Sequence, residues 1–315
     1  MKDKKRLLLI FWGLLLGVVF CPGSDLWAAA EGFVRYSHSG YDFFQAPEKP
    51  QPGQALVLAL HPDKALPATL SRQPVAVDFI GRKFSLEALS DGWRGVVAVP
   101  LGTAAGSYSL HIRFKSGAEL ERQITVVAHD YGEQRLTVAA EMAAPMRAEN
   151  LRKIERDRQH LKVAYASSED HLLFADAVRP PLASTLTSPF GRRRLLNGKA
   201  KAPHGGVDFK AAVGVPVASA AQGRVVLAEE LYYSGNLVIV DHGLDIFTLY
   251  MHLNEIDCRP GELVMPGQII GTAGSSGRVT GPHLHWGVKI AGVFVDPIRF
   301  ARDSRLLLNV PWQNK

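Results

Sequence analysis

Cysteine is nearly absent from this 315-residue chain, which contains only Cys21 and Cys258. So few cysteines cannot build the disulfide framework of a small secreted scaffold, and a hydrophobic core must therefore hold the fold together. Cys258 has no metal-ligand spacing around it, so we interpret it as a small buried side chain.

Basic and aromatic clusters are also scarce. Aromatic residues make up 9% of the chain and the net charge is +6, without an Arg/Lys-rich helix or the aromatic stripe of RNA-binding proteins. The sequence therefore predicts no nucleic-acid partner. With 47% hydrophobic and 21% charged residues, the composition is that of a globular protein long enough for two domains.

A hydrophobic run stands at the N-terminus, where fourteen apolar residues (7–20) follow the basic segment 2–6. Together with Ala28–Ala30, these features predict a secretory signal peptide over residues 1–30 and a mature chain that starts at Glu31. The alternative is an uncleaved anchor, for which the run is short. We expect export to the periplasm, the cell envelope or the extracellular space, with membrane contact only through an uncleaved leader.

Residues 31–130 alternate short apolar runs with turn signals such as Pro-Gly, Asp-Gly and Ser-Gly. This pattern predicts a small β-sandwich module, and nothing in it gathers titratable residues. The predicted strands are 55–60, 75–80, 95–99, 108–114 and 123–127.

The pattern changes over residues 131–177, which we interpret as a helical linker. Leu151, Ile154, Leu161 and Tyr165 follow steps of three and four residues with charges between them. Such spacing predicts a helix with a narrow apolar stripe that packs on a neighbour.

Strand and turn signals return over residues 178–302, where frequent glycines predict a compact antiparallel β-domain. Residues 303–315 are predicted to be a tail. The predicted fold is therefore mainly β, with a β-sandwich, a linker helix and a second β-domain in that order.

Five of the eleven histidines fall between positions 204 and 285. His204 and Asp208 flank a Gly205-Gly206 pair, and in a straight strand they would lie roughly 13 Å apart. A bend that the glycines permit is needed before both side chains can share an ion. The alternative is a turn in which Asp208 is a capping residue.

His283 and His285 stand two positions apart, so on a strand both imidazoles face the same side. Their Cα atoms would be about 6.7 Å apart. Either both imidazoles bind one metal ion, or one binds the ion while the other contacts the water bound to it. The spacing leaves both options open, but with His204 and Asp208 it predicts an open metal site.

Three segments carry a resemblance to a known family: 203–209 (Pro-His-Gly-Gly-Val-Asp-Phe), 249–253 (Leu-Tyr-Met-His-Leu) and 277–286 (Gly-Arg-Val-Thr-Gly-Pro-His-Leu-His-Trp). Over about residues 178–300 the chain resembles the lysostaphin-type (LytM-like) zinc metallopeptidases of cell-wall peptidoglycan. The resemblance implies the duplicated-hybrid-motif β-fold of that family.

The resemblance also implies a division of roles within the cluster. His204, Asp208 and His285 would hold Zn²⁺, with the fourth position left to water or the substrate carbonyl. His283 and His252 would be catalytic residues that do not bind the metal, and which of them does which step stays open. The resemblance further places Asn236 and Arg278 at positions that line the substrate groove, with structural turn roles as the alternative.

The sequence therefore predicts a secreted zinc metalloendopeptidase that hydrolyses amide bonds in peptidoglycan cross-links or stem peptides by means of a zinc-activated water. One alternative is a non-catalytic activator of cell-wall amidases, since some family members have lost their ligands. A second is a cell-wall-binding protein built on the N-terminal module. Oligomeric state is not predicted.

Overall fold

The computed structural model describes residues 32–38, 40–63, 75–115, 117, 119–136, 147–166, 168–196 and 199–311. The predicted signal peptide lies outside the described residues, and so does the 137–146 part of the predicted linker. Within the described ranges, no helix is both long enough and apolar enough to cross a membrane.

Eight antiparallel strands form the N-terminal sheet. They are β1 (Val34–His38), β2 (Tyr41–Ala46), β3 (Ala55–Pro62), β4 (Val75–Phe79), β5 (Arg82–Ala88), β6 (Trp93–Ala98), β7 (Gly106–Arg113) and β8 (Glu119–Val126). Their order across the sheet is β1-β2-β3-β6-β5-β4-β7-β8.

The side-chain pattern explains why these strands form. In β4, Val75, Val77 and Phe79 are buried and Ala76 is exposed, the period of two that a one-sided strand requires. In β3 every residue from 55 to 60 is buried, so this strand is covered on both faces. All five predicted strands of this module coincide with strands of the sheet.

The linker contributes a strand and a helix. The strand is β9 (Glu133–Leu136), and the helix is α1 (Ala148–Ala164). The helix was predicted, and Leu161 and Tyr165 of the predicted stripe pack against an apolar cluster of the C-terminal sheet. Leu151 departs from the prediction, since it is 54% exposed, and the buried residues of the helix are Asp157 and Ala164. Ala164 packs in an apolar cluster with side chains of the C-terminal sheet.

The C-terminal part is a second, mostly antiparallel β-structure. Its elements are β10 (Leu186–Ser188), β11 (Arg193–Leu196), β12 (Lys199–Lys201), β13 (Val207–Lys210), β14 (Pro216–Ala218), β15 (Gly223–Leu231), β16 (Gly235–Asp241), β17 (Ile246–Ile256), β18 (Leu263–Val264), β19 (Ile269–Ala273), β20 (His283–Ile290), β21 (Val293–Val295), α2 (Pro297–Asp303) and α3 (Arg305–Leu308).

Strand pairing places the histidine strands at the centre of this structure. The main sheet has the order β10-β13-β20-β17-β16-β15-β18, with β19 on β17 and β14, and β21 on β20. Strands β9, β11 and β12 form a small separate sheet, in which β9 runs parallel to β11. The prediction of a mainly β fold with an N-terminal and a C-terminal β-domain is confirmed.

The two β-domains share one hydrophobic core and are joined by hydrogen bonds. Asp296, which caps α2, donates its backbone N–H to Gly53 O at 2.8 Å. Arg94 Nη1 donates to Leu307 O at 2.9 Å. In the predicted tail, Leu307 and Val310 are fully buried, because this part of the chain covers the junction of the domains. The domain boundaries stay predictions.

A buried polar chain crosses the C-terminal sheet. His242 is fully buried, and its Nδ1–H donates to Gln222 O at 2.8 Å. Its Nε2 lies 2.8 Å from the Thr248 hydroxyl, which lies 3.0 Å from the Tyr250 hydroxyl. The Tyr250 oxygen accepts the Ala220 N–H at 2.8 Å. Burial lowers the pKa of His242 to about 4, so the imidazole is neutral in the folded protein at neutral pH.

We predict that His242 makes folding pH-dependent. Between pH 6.5 and 4 the unfolded chain binds a proton at this imidazole that the folded protein excludes, so stability falls as the pH falls. For wild type, this imidazole should lower the free energy of unfolding by about 2–3 kcal/mol at pH 4.5 relative to pH 7. In urea unfolding at these two pH values, His242→Gln should therefore lose about that much less stability than wild type on going to pH 4.5. His171→Gln, at a side chain that is 51% exposed, should behave like wild type. An unchanged pH dependence in His242→Gln would contradict the prediction.

Candidate metal centre and catalytic histidines

The pairing of β13 with β20 brings the predicted ligands together. Asp208 lies directly opposite His285 in this antiparallel pair, so both side chains leave the same face of the sheet. His204 precedes β13, beyond a bend at Gly205 and Gly206. The bend that the sequence required is present, and His204 folds back over the strand that carries Asp208.

The three side chains converge on one point. His204 Nε2 lies 3.0 Å from Asp208 Oδ1 and 3.0 Å from His285 Nδ1, and His285 Nδ1 lies 2.8 Å from Asp208 Oδ1. All three residues are buried. Their candidate ligand atoms lie within 4.8 Å of one another, so the cluster could hold a metal ion.

Main-chain carbonyls set the orientation of His204. Its Nδ1 lies 2.9 Å from Pro189 O and 3.2 Å from Ser188 Oγ. Because a carbonyl oxygen only accepts, Nδ1 carries the proton and donates it there. The Nε2 lone pair is consequently free to bind a cation, as a metal-ligating histidine requires.

Electrostatics favour a charged carboxylate at Asp208 and a neutral imidazole at His285. Burial raises the pKa of Asp208, but the contacts with His204 and His285 outweigh it and hold the pKa well below its usual range. Burial lowers the pKa of His285, although the hydrogen bond to Asp208 opposes the shift. An ionised carboxylate beside neutral imidazoles is the protonation state in which these groups bind metals.

Arg194 is a neighbour of the cluster that sequence reasoning missed. Its Nη2 lies 3.5 Å from Asp208 Oδ2, the oxygen that does not face the histidines. Burial lowers the pKa of Arg194, and the charge of Asp208 opposes that shift. Strand β11 brings this residue to the site from outside the histidine motifs, so only its charge could have drawn attention to it.

His252 sits beside the cluster in an unusual backbone conformation. Its φ is +64°, a region that residues other than glycine rarely adopt. Here β17 bulges: the pairing with β16 passes from Val238 opposite Tyr250 to Asn236 opposite Leu253, which leaves an extra residue on β17. A β-bulge changes the direction in which a side chain leaves the strand, and bulges are common beside active sites.

The imidazoles of His252 and His283 face each other next to the candidate ligands. Their ring centroids are 4.9 Å apart, and the His252 ring is 6.2 Å from that of His285. His252 donates Nδ1–H to Ser276 O at 3.0 Å, and His283 donates Nδ1–H to Gly281 O at 2.8 Å. The Nε2 atom of each ring is left out of these bonds, and that of His283 is 3.8 Å from Asp208 Oδ1. Burial lowers the pKa of His252 to about 4, so it is neutral at neutral pH.

The two predicted groove residues have different environments. Asn236 donates both Nδ2 hydrogens to main-chain carbonyls, those of Leu253 at 3.1 Å and Asn254 at 3.0 Å. These contacts give Asn236 a structural role, and its groove role stays a prediction. The guanidinium of Arg278 lies over the ring of Tyr233, which is half exposed, at 5.9 Å from its centroid. The groove role of Arg278 stays a prediction.

Comparison with known proteins places a family match over this site. Residues 202–297 match the sequence profile of peptidase family M23. The matched range contains His204, Asp208, His252, His283 and His285.

Individual relatives match the same part of the chain. The peptidoglycan DD-endopeptidase ShyA of Vibrio cholerae is 43% identical over 108 residues, which are 34% of this chain and 25% of ShyA. The DD-carboxypeptidase/endopeptidase Mpg of Neisseria meningitidis is 36% identical over 124 residues, 39% of this chain and 29% of Mpg. The match to this chain thus spans little more than a quarter of the length of either relative.

A solved structure extends the similarity beyond the peptidase domain. A Pseudomonas aeruginosa protein described as a candidate peptidase M23 has 28% sequence identity and a TM-score of 0.62. The match covers 80% of this chain and 95% of that one. The similarity to the Pseudomonas aeruginosa protein therefore includes the N-terminal β-domain as well as the region that matches family M23.

The glycine pair yields a test of the site's geometry. A Cβ on Gly206 would lie 2.6 Å from His285 Nε2 and would also meet the Trp286 carbonyl. On neighbouring Gly205 it would meet the Phe294 ring at 3.4 Å, an ordinary contact. We therefore predict that Gly206→Ala displaces His285 and weakens metal binding at least about tenfold, whereas Gly205→Ala changes it little.

Competition with a chromophoric chelator measures both affinities, and circular dichroism checks that both variants are folded. Equal metal affinities in two folded variants would show that the close approach at Gly206 does not position His285.

Proposed function

We propose that this chain is a zinc metalloendopeptidase that cleaves peptide bonds of peptidoglycan. The observation that carries the proposal is the buried His204–Asp208–His285 cluster with the imidazoles of His252 and His283 beside it. A closed structural metal site has four protein ligands, whereas three ligands and an adjacent base are typical of hydrolytic sites.

The donor set fits zinc. Two imidazole nitrogens and one carboxylate oxygen are ligands that Zn²⁺ prefers, and tetrahedral bonds of 2.0–2.2 Å separate ligand atoms by about 3.4 Å. The separations of 2.8–3.0 Å in the cluster approach that spacing, so a small outward adjustment suffices. When bound, zinc would supply Lewis-acid activation of water and of a carbonyl oxygen.

The protein's own groups supply the proton transfers. In the neutral rings of His252 and His283 the lone pair is on Nε2, because Nδ1–H donates a hydrogen bond to a main-chain carbonyl. Either imidazole can accept a proton from the attacking water and return one to the departing amine. The two imidazoles lie close enough to each other and to the cluster to contact the same scissile bond. The division of these two steps between them is left open.

The names of the relatives support the substrate. ShyA is a peptidoglycan DD-endopeptidase and Mpg is a DD-carboxypeptidase/endopeptidase, so we propose a D,D bond of peptidoglycan, in place of a glycine bridge, as the bond cleaved. We also propose export to the periplasm, cell envelope or exterior, where this substrate is found. That location rests on the leader-like residues 1–30.

We predict that substituting a proposed zinc ligand and substituting His283 have different effects on zinc content. His204→Ala and Asp208→Ala should lose both zinc and activity, because each removes a ligand. His283→Ala should retain equimolar zinc while turnover falls roughly 10²- to 10⁴-fold, the usual effect of a lost general acid or base. Elemental analysis measures zinc, and mass spectrometry of fragments released from purified peptidoglycan measures cleavage and identifies the bond.

His171→Ala, at an exposed histidine, is the matched control and should keep both properties. Release of zinc from folded His283→Ala would overturn the ligand assignment. Folded, zinc-loaded wild type that releases no fragment would overturn the enzyme proposal and favour the amidase-activator alternative.

A further inference from the structure

We propose that Asp157, in the linker helix α1, is a positioning residue for the catalytic histidine His252. The two residues are 95 positions apart in the chain, and α1 lies outside the range that matches the peptidase family. The proposal rests on the proposed function in that His252 is taken to be a catalytic group. The contact runs through residues 232–234, which join β15 to β16 and which we call the tyrosine turn.

Asp157 is buried, and both of its oxygens are engaged. Its side chain is 8% exposed, while that of neighbouring Arg156 is 54% exposed. Asp157 Oδ1 accepts a hydrogen bond from Arg156 Nη2 at 2.7 Å, and Oδ2 accepts the backbone N–H of Tyr232 at 2.6 Å. A carboxylate that is buried at a helix–sheet contact and bonds a main-chain amide makes a strong, charge-assisted anchor. It ties the tyrosine turn to α1.

The tyrosine turn in turn holds the backbone around His252. Ser234 O accepts the N–H of His252 at 2.9 Å, and Tyr233 O accepts the N–H of Arg278 at 3.1 Å. Gly235, directly after the turn, lies so close to Ser276 that a Cβ would collide with it. Ser276 O is the acceptor for the imidazole of His252. The tyrosine turn therefore fixes the main chain of His252, and the loop that contains Ser276 fixes its side chain.

His252 needs this support because of the bulge in β17. Its left-handed φ is unfavourable for histidine, and such a conformation persists only where surrounding contacts determine it. At the bulge the His252 N–H bonds to the tyrosine turn, beyond the end of β16. A shift of the turn would therefore re-aim the imidazole, and small misplacements of catalytic groups carry large costs in rate.

Amide hydrogen exchange in the full chain tests the coupling directly. Asp157→Ala removes the acceptor of the Tyr232 amide. We expect exchange at His252 and Arg278 to accelerate at least about tenfold, while the amides of Val240 and Thr248, paired in the middle of β16 and β17, keep their rates. Zinc content should not change, and kcat should fall about 10- to 100-fold with KM within about twofold.

Two matched variants separate positioning from general stability. Arg156→Ala removes the partner of Oδ1 and leaves the bond to Tyr232, so it should exchange and turn over like wild type. Asp157→Asn keeps an oxygen that can accept the Tyr232 amide and should restore most of the protection. Equal acceleration at all four reporter amides in Asp157→Ala, or unchanged exchange at His252, would overturn the proposal.

If Asp157→Ala does not fold, wild-type protein decides the question. The amides of Tyr232, Arg278 and His252 should then open as one unit, with the same exchange free energy and denaturant dependence, and different dependences would overturn the coupling. Because exchange is measured without substrate, this result is independent of activity. Absence of peptidoglycan cleavage by wild type would count against the proposed function alone.

Discussion

The buried negative charge of Asp208 is the constraint on which the rest of the site depends. An ionised carboxylate that is removed from water is costly unless charges or hydrogen bonds compensate it. Here His204 and His285 lie against one oxygen and Arg194 approaches the other. A divalent cation would compensate that charge more fully than neutral imidazoles do, which is the physical reason for regarding the cluster as a metal centre.

A metal centre of this kind requires each histidine to be in one tautomer, and hydrogen bonds to the main chain select that tautomer. His204, His252 and His283 each donate Nδ1–H to a main-chain carbonyl. Each of these bonds fixes the orientation of its ring. The chemistry of the imidazoles consequently depends on where three loops place three carbonyl groups. The positive φ of His252 and the close approach of Gly235 to Ser276 are local consequences of meeting that demand.

Periodicity was sufficient to predict much of the fold and the relation between some site residues. The two-residue step of His283 and His285 places both on one face of β20, and the glycine pair permits the bend before Asp208. A short apolar run also indicated strands such as β3. Strand β5 was not predicted: only Phe84 and Leu86 are buried in it, and the polar residues Arg82 and Lys83 precede them.

What the sequence could not indicate depends on contacts between distant segments. The apolar stripe of α1 indicated a side that packs on a neighbour, and Leu161 and Tyr165 do so. It gave no sign that Asp157 is buried as well, since the partner of Asp157 is a main-chain amide 75 positions away. A main-chain amide has no signature in the sequence. Arg194 and Ser276 were missed because their partners, Asp208 and His252, lie in other segments of the chain. The burial of Leu307 and Val310 was not predicted, because they meet a core to which the N-terminal domain contributes.

These contacts bear on where the functional unit ends. The family match covers residues 202–297, but the carbonyl that orients His204 belongs to Pro189, and Arg194 stands beside Asp208. The capping residue of α2 bonds the N-terminal domain. An isolated segment 202–297 would keep the three proposed ligands and lose the groups that orient them. Since the orientation of an imidazole decides whether its lone pair faces a cation, the proposed metal centre depends on residues outside the matched segment.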